Sequence, residues 1–198
     1  MLDTYRLSIK RQIRFDLIMY KAVTCALFTF FLIITSANTY ANNFNYNYGE
    51  VLVPLNPGGL GLGGSMLIHQ NAHLVAEAQS AFKNDWLITA GAGFNAPISQ
   101  FADLRGYLKI HSQKNKQTTN TFGRFFTELS LDASTWVNPV SEVGASVGSY
   151  LISDDDKKLK LQTYYRFHPT PTFSFAAILN ISGLEDGQIM LSARYPLG

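Results

Sequence analysis

The sequence predicts an all-β fold, an antiparallel up-and-down transmembrane β-barrel of about ten strands that follows an N-terminal signal peptide. Three observations support this prediction. Apolar and polar residues alternate along nearly the whole chain after residue 41, which is the period of a strand with two unlike faces. The alternating runs are about nine to eleven residues long, the length that a tilted strand needs to cross a bilayer. Their number is even, which returns both chain ends to one side of the membrane, as in bacterial barrels.

The first 41 residues have the order of a secretory signal peptide, with a basic region, an apolar run and a cleavage site. The basic residues are Arg6, Lys10, Arg11, Arg14 and Lys21. The uncharged run 22–35 has fourteen residues, fewer than the roughly 20 of a spanning helix. Thr39-Tyr40-Ala41 ends the segment with small residues at the cleavage positions. We therefore predict a signal peptide at 1–41 and a barrel at 42–198, with an uncleaved membrane anchor as the alternative.

Composition excludes several classes of protein. The formal net charge is +2, and 16 basic residues face 14 acidic ones, so bulk basicity does not indicate a nucleic-acid partner. Cleavage after Ala41 would remove five basic and two acidic residues, which leaves 11 against 12 and a charge of −1. The lone cysteine, Cys25, excludes a disulfide scaffold and a four-cysteine zinc site.

Ten alternating runs are separated by turn-forming sequences such as Asn56-Pro57-Gly58-Gly59 and Glu185-Asp186-Gly187. The predicted strands lie near residues 44–53, 60–69, 73–82, 85–95, 101–111, 123–133, 140–150, 158–168, 173–182 and 187–197. The first run is ambiguous, because Glu50 shares a face with apolar Leu52 and two tyrosines. If this run and one other are misread, the count falls to eight.

Alternation alone does not say which face points inward, since a soluble sandwich buries the apolar face and a membrane barrel turns it to lipid. Aromatic residues on the apolar faces favour the barrel, because they gather at the ends of the runs in two levels, like interfacial girdles. One level contains Phe94, Phe167, Phe173 and Tyr195, and the other contains Phe82, Trp86 and Phe125.

The chain after residue 41 resembles the small Gram-negative outer-membrane β-barrels, the broad porin-like or OmpA-transmembrane-like class. The resemblance rests on glycine-rich strands that run through a short turn into an alternating strand, as in the segments 90–97 and 101–107. Such proteins usually end on an aromatic residue, whereas this chain ends Tyr195-Pro196-Leu197-Gly198. The resemblance implies an outer-membrane location, contact with membrane lipid and lipopolysaccharide, and insertion by the barrel-assembly machinery.

The polar faces of the predicted strands carry nearly balanced charge. In a barrel of this size they would face a narrow lumen, where buried charges must pair. The candidate lumen charge network is Glu77, Asp103, Arg105, Lys109, Arg124, Glu128, Asp132, Glu142, Lys160, Arg166 and Arg194. We expect these residues to hold the barrel closed; the alternative is a narrow polar pore whose charges set selectivity.

Other motifs do not indicate catalysis, a cofactor or a metal. Gly59-Leu60-Gly61-Leu62-Gly63-Gly64 matches G-x-G-x-x-G, but an alternating strand follows it where a dinucleotide site needs a helix. His69 and His73 flank a turn, so the i, i+4 metal spacing of a helix does not apply to them. The sequence thus predicts a non-enzymatic outer-membrane protein with a structural or envelope-supporting role. A narrow channel for small polar solutes or ions is the alternative, and a lipid-modifying enzyme is a third possibility.

Overall fold

The computed structural model describes residues 44–82, 85–115, 120–153 and 156–197. The predicted signal peptide at 1–41 lies outside these residues. Within the described ranges, no helix is long and apolar enough to cross a membrane.

The described chain forms ten β-strands, so the predicted fold class is confirmed and the eight-strand alternative is wrong. The strands are β1 (Tyr48–Pro54), β2 (Leu60–His69), β3 (Ala72–Ser80), β4 (Trp86–Pro97), β5 (Ala102–Lys114), β6 (Arg124–Asn138), β7 (Ser141–Leu151), β8 (Lys157–Thr170), β9 (Phe173–Ser182) and β10 (Gln188–Pro196). The glycines of the G-x-G-x-x-G match lie in a turn and in β2, as their strand pattern predicted.

Each strand pairs antiparallel with its neighbours in the chain, and β1 pairs with β10 to close the barrel. At this seam Glu50 of β1 lies opposite Arg194 of β10 on one side and opposite Gly63 of β2 on the other. Closure leaves no open strand edge, so the backbone N–H and C=O groups of every strand have partners on both sides.

The connections differ between the two ends of the barrel. At the end where β1 begins and β10 ends, which we call the terminal end, the connections contain two to four residues. At the opposite end, which we call the far end, they contain five to nine residues. Short turns on one side and longer loops on the other are typical of outer-membrane barrels.

The two faces of the sheet are chemically opposite. Outward side chains of the strands are mainly apolar and exposed, as shown by Leu62, Leu108 and Leu129 at 62%, 57% and 60% exposure. Inward side chains include the buried charged groups Glu128 and Arg166. Among the charged strand residues, Lys114 and Lys157 have outward parity, and both lie at the far end of their strands.

Strand boundaries differ from prediction most at the end of β6, which continues to Asn138 and not only to residue 133, and at the chain start. β1 begins at Tyr48 and not at residue 44, so the segment 44–47 is not part of the sheet. Its side chains make specific contacts at the terminal end: Phe44 packs on Trp136 with ring centroids 6.2 Å apart, and Tyr46 stacks on His73 at 4.9 Å. The alternating pattern could not show this departure, because these contacts come from distant strands.

Candidate functional site: the barrel lumen

Glu128 is the centre of one ion cluster in the lumen. Its side chain is 2% exposed, and its Oε1 lies 2.9 Å from Lys160 Nζ and 3.5 Å from Lys109 Nζ. Oε2 lies 3.1 Å from His111 Nε2, and Ser130 Oγ donates to Oε1 at 2.7 Å. One buried carboxylate thus links β5, β6 and β8 around the lumen.

A glycine lies between two members of this cluster. Gly148 of β7 is in register with Ser130 of β6 and Lys160 of β8. A Cβ at Gly148 would lie 2.6 Å from Ser130 Cβ, closer than carbon atoms can pack. The absence of a side chain here allows β7 to lie close to Leu129 and Ser130 of β6.

Glu50 is the centre of a second cluster, at the seam of the barrel. Arg166 donates to its Oε1 at 2.8 Å and Arg194 to its Oε2 at 3.1 Å. Arg166 also donates to Ser174 Oγ at 3.2 Å and to Ser192 Oγ at 3.3 Å. Glu50 is absent from the predicted network because its run was ambiguous; the inward parity of Leu52, which is 3% exposed, settles the face.

A third cluster lies towards the terminal end. Tyr164 donates to Glu142 Oε1 at 2.5 Å, and Arg105 donates to the Tyr164 hydroxyl at 3.2 Å. The other carboxylate oxygen of Glu142 lies 3.3 Å from His168 Nε2. The Tyr164 ring lies against Gly144, where a Cβ would lie 2.3 Å from the Tyr164 Cε1.

Asp103 extends this third cluster to the chain start. Its Oδ2 accepts a hydrogen bond from the Tyr46 hydroxyl and lies 3.8 Å from Arg105 Nε. Burial and the neighbouring Asp103 charge raise the pKa of the Tyr46 phenol above its usual range, so Tyr46 stays protonated and donates. Residues outside the sheet therefore help to fill the lumen.

The remaining predicted network residues have other surroundings. Glu77 accepts a hydrogen bond from the Gln79 amide, and Asp132 lies opposite Arg105 in the β5–β6 register. Arg124 is an exception to the lumen network, because it pairs with Asp156 at 3.2 Å at the far end, where both side chains are about half exposed. Its place at the start of β6 puts it in solvent.

One wall of the lumen is apolar. Leu52, Ala176, Ile178 and Met190 of β1, β9 and β10 form a buried cluster, and Tyr164 packs against it. The strand pattern did not predict this wall. The sequence feature that could have predicted this wall is the run Ala176-Ala177-Ile178-Leu179 in the ninth strand, which is apolar on both faces.

Three cavities follow one another along the lumen. The far-end cavity has about 220 Å³, the central cavity about 150 Å³ and the terminal-end cavity about 210 Å³. Glu77 and Lys109 line both the far-end and the central cavity. Arg105 and Arg194 line both the central and the terminal-end cavity. Charged side chains therefore stand at both partitions.

Comparison with known proteins adds no family to this description. No protein-family model matches the chain, and no curated protein matches it significantly.

Proposed function

We propose that this chain is an outer-membrane β-barrel, exported through a cleaved signal peptide, with a structural or envelope-supporting role. Its lumen is closed by internal ion pairs, and its function is non-catalytic. The observation that carries the proposal is the inside-out distribution of side chains. Charged Glu50, Glu128 and Arg166 are buried inside, while apolar side chains such as Leu129 are exposed outside. A closed barrel with this distribution is stable where its outer surface meets hydrocarbon.

The asymmetry of the connections supports an orientation. The short turns of the terminal end match periplasmic turns, and the longer connections of the far end match extracellular loops. Phe94, Phe167 and Tyr195 are exposed near the terminal end, and Phe82 and Phe125 near the far end. Both levels suit contact with the two membrane interfaces.

The proposed partners are membrane lipid and lipopolysaccharide, with the barrel-assembly machinery acting during biogenesis. Lys157 supports the lipopolysaccharide contact, since it is exposed and has outward parity at the end that would face the cell exterior. There an ammonium group can reach the phosphates of the outer leaflet.

Cell fractionation tests the location. We expect the protein in the outer-membrane fraction, lacking residues 1–41, with a gel mobility that changes on heating because the closed barrel resists detergent until heated. Recovery from the soluble periplasm without a heat-dependent shift would contradict the proposal. Activity against labelled lipid A or phospholipid would contradict its non-catalytic part.

A narrow channel is the second candidate, and the series of three cavities favours it. Conduction would require ions to pass the side chains that separate these cavities, among them Lys109 and Arg105. Planar-bilayer recordings separate the two functions. A closed lumen predicts a flat trace, and unitary current steps would establish the channel.

A further inference from the structure

The terminal-end cavity has the composition of a ligand site. Its wall includes the rings of Phe44, Trp136 and Phe173 together with Pro169 and Pro171. Small-molecule sites are typically concave, mostly apolar, and equipped with a few polar groups that orient the ligand. The proline and aromatic side chains supply the apolar part.

The polar part of this cavity has more donors than acceptors. Arg105 Nε, Arg194 Nε and Trp136 Nε1 are buried and have no hydrogen-bond partner among the described residues. All three side chains line the cavity. Buried N–H groups ordinarily find acceptors, so three such donors around one cavity indicate an acceptor-rich ligand group.

The charges around the cavity indicate the sign of that group. Within the described part of the chain, the guanidinium groups of Arg105 and Arg194 line the cavity against one carboxylate, Glu142. Both oxygens of Glu142 are already engaged, by Tyr164 at 2.5 Å and by His168 at 3.3 Å. Neither arginine donates a hydrogen bond to Glu142 in the described structure, so both can donate to a bound anion.

The acidic groups near Arg105, including Asp132 opposite it in the β5–β6 register, make no hydrogen bond to it among the described residues. Its one hydrogen bond within the described residues goes to the neutral hydroxyl of Tyr164. Asp103 Oδ2 lies 3.8 Å from Arg105 Nε, beyond hydrogen-bond distance, and accepts from Tyr46. Arg194, by contrast, is held by Glu50 through its NH2 group, and its guanidinium lies over the Tyr48 ring, 3.6 Å from the ring centroid.

We propose that the terminal-end cavity binds a small organic acid. Its carboxylate accepts hydrogen bonds from Arg105, Arg194 and Trp136, and its apolar body packs on the aromatic and proline wall. A guanidinium and a carboxylate form charge-assisted hydrogen bonds that are stronger than neutral ones. This site goes beyond the structural role proposed above and does not depend on whether the lumen conducts.

Trp136 provides the readout, since Trp86 is the other tryptophan of the sequence. The Trp86→Phe protein, purified in detergent without residues 1–41, would be titrated with cyclohexanecarboxylate while tryptophan emission is excited selectively. Cyclohexanecarboxamide has the same body without the charge, and sodium chloride at equal ionic strength controls for salt. We expect a saturable change in Trp136 emission with the carboxylate and about tenfold weaker binding of the carboxamide, as for loss of a charge-assisted hydrogen bond.

Variants of Arg105 test whether its guanidinium donates to the bound carboxylate. Arg105→Gln should weaken carboxylate binding about tenfold, whereas Arg105→Lys keeps the charge and should retain most of the affinity. Arg124→Gln is the matched control, because Arg124 pairs with Asp156 at the far end, and it should bind unchanged. Heat-modifiable gel mobility confirms that each variant is folded. If Arg105→Gln does not fold, the carboxylate–carboxamide comparison and Arg105→Lys still decide.

Three outcomes would overturn the proposal. They are equal binding of carboxylate and carboxamide, no saturable change in Trp136 emission, and undiminished binding by a folded Arg105→Gln variant. Localisation of the protein outside the outer membrane would overturn the proposed function but leave this binding result standing, so the two failures are distinguishable.

Discussion

Lys160 of β8 reaches Glu128 of β6 past the intervening strand β7, with its Nζ 2.9 Å from the Glu128 Oε1. Lys109 and His111 approach the same carboxylate from β5. A single acidic side chain therefore ties three strands together inside the lumen. Its removal should test whether ion pairs keep this lumen closed.

Replacing Glu128 by Gln should strongly destabilise the barrel, because two lysines would remain buried without their counter-ion. Breaking a buried ion pair costs about 3–5 kcal/mol. Urea unfolding in detergent micelles measures the loss. The control is Arg124→Gln, which removes a half-exposed pair with Asp156 and should cost about 0–1 kcal/mol. Equal effects of the two substitutions would contradict a special role of the buried cluster.

Replacing Gly148 by Ala should push β7 away from β6, because the new Cβ would lie 2.4 Å from Leu129 O and 2.6 Å from Ser130 Cβ. Overpacking of this kind costs about 1–3 kcal/mol. Gly106→Ala is the matched control, because its new Cβ would meet only Leu131 Cδ2, at 3.7 Å. The same urea unfolding assay compares them, and a Gly148→Ala variant as stable as Gly106→Ala would refute the close approach.

Removing Glu50 alone should weaken the β1–β10 seam more than removing its whole cluster. Glu50→Leu leaves Arg166 and Arg194 buried and uncompensated, at a cost of about 3–5 kcal/mol. The triple variant Glu50→Leu, Arg166→Met and Arg194→Met replaces all the charges by apolar groups and should recover much of that loss. Hydrogen exchange of the β1 and β10 amides reports the seam. A triple variant less stable than Glu50→Leu would contradict this interpretation.

Two matched leucines on the outer face allow a test of whether that face lies in a membrane. Leu129 lies near the middle of β6 and Leu159 near the far end of β8, and they are 60% and 58% exposed. In lipid vesicles, Leu129→Arg should cost about 2–4 kcal/mol and Leu159→Arg about 0–1 kcal/mol, because the cost of a charge depends on its depth. For a soluble barrel both substitutions would be harmless, so equal small effects would argue against a membrane-spanning wall.

The strand pattern of this chain could be predicted because it is local. Alternation places Asp103, Arg105 and Lys109 on one face of their strand whatever the register, and the turn residues between runs mark the strand ends. The departure of Arg124 from the lumen network also has a local cause. Arg124 has the parity of a lumen residue but stands at the first position of β6, where solvent reaches it and Asp156 pairs with it.

The pairing of the lumen charges could not be predicted, because it depends on barrel closure. Glu50 and Arg166 are 116 positions apart and meet only because β1 closes on β10. The same closure brings Tyr46 onto His73 and Asp103, which takes the segment 44–47 out of the first predicted strand.

The sequence by itself thus predicted about ten strands, with eight as the alternative, and showed which residues share a face in all but the first strand, since both follow from a two-residue period. The tertiary structure decided which carboxylate holds which cation, where an apolar wall lines the lumen, and which donors remain open at the terminal-end cavity. Those relationships depend on strand register and on distances across the barrel, which become fixed only when the sheet closes.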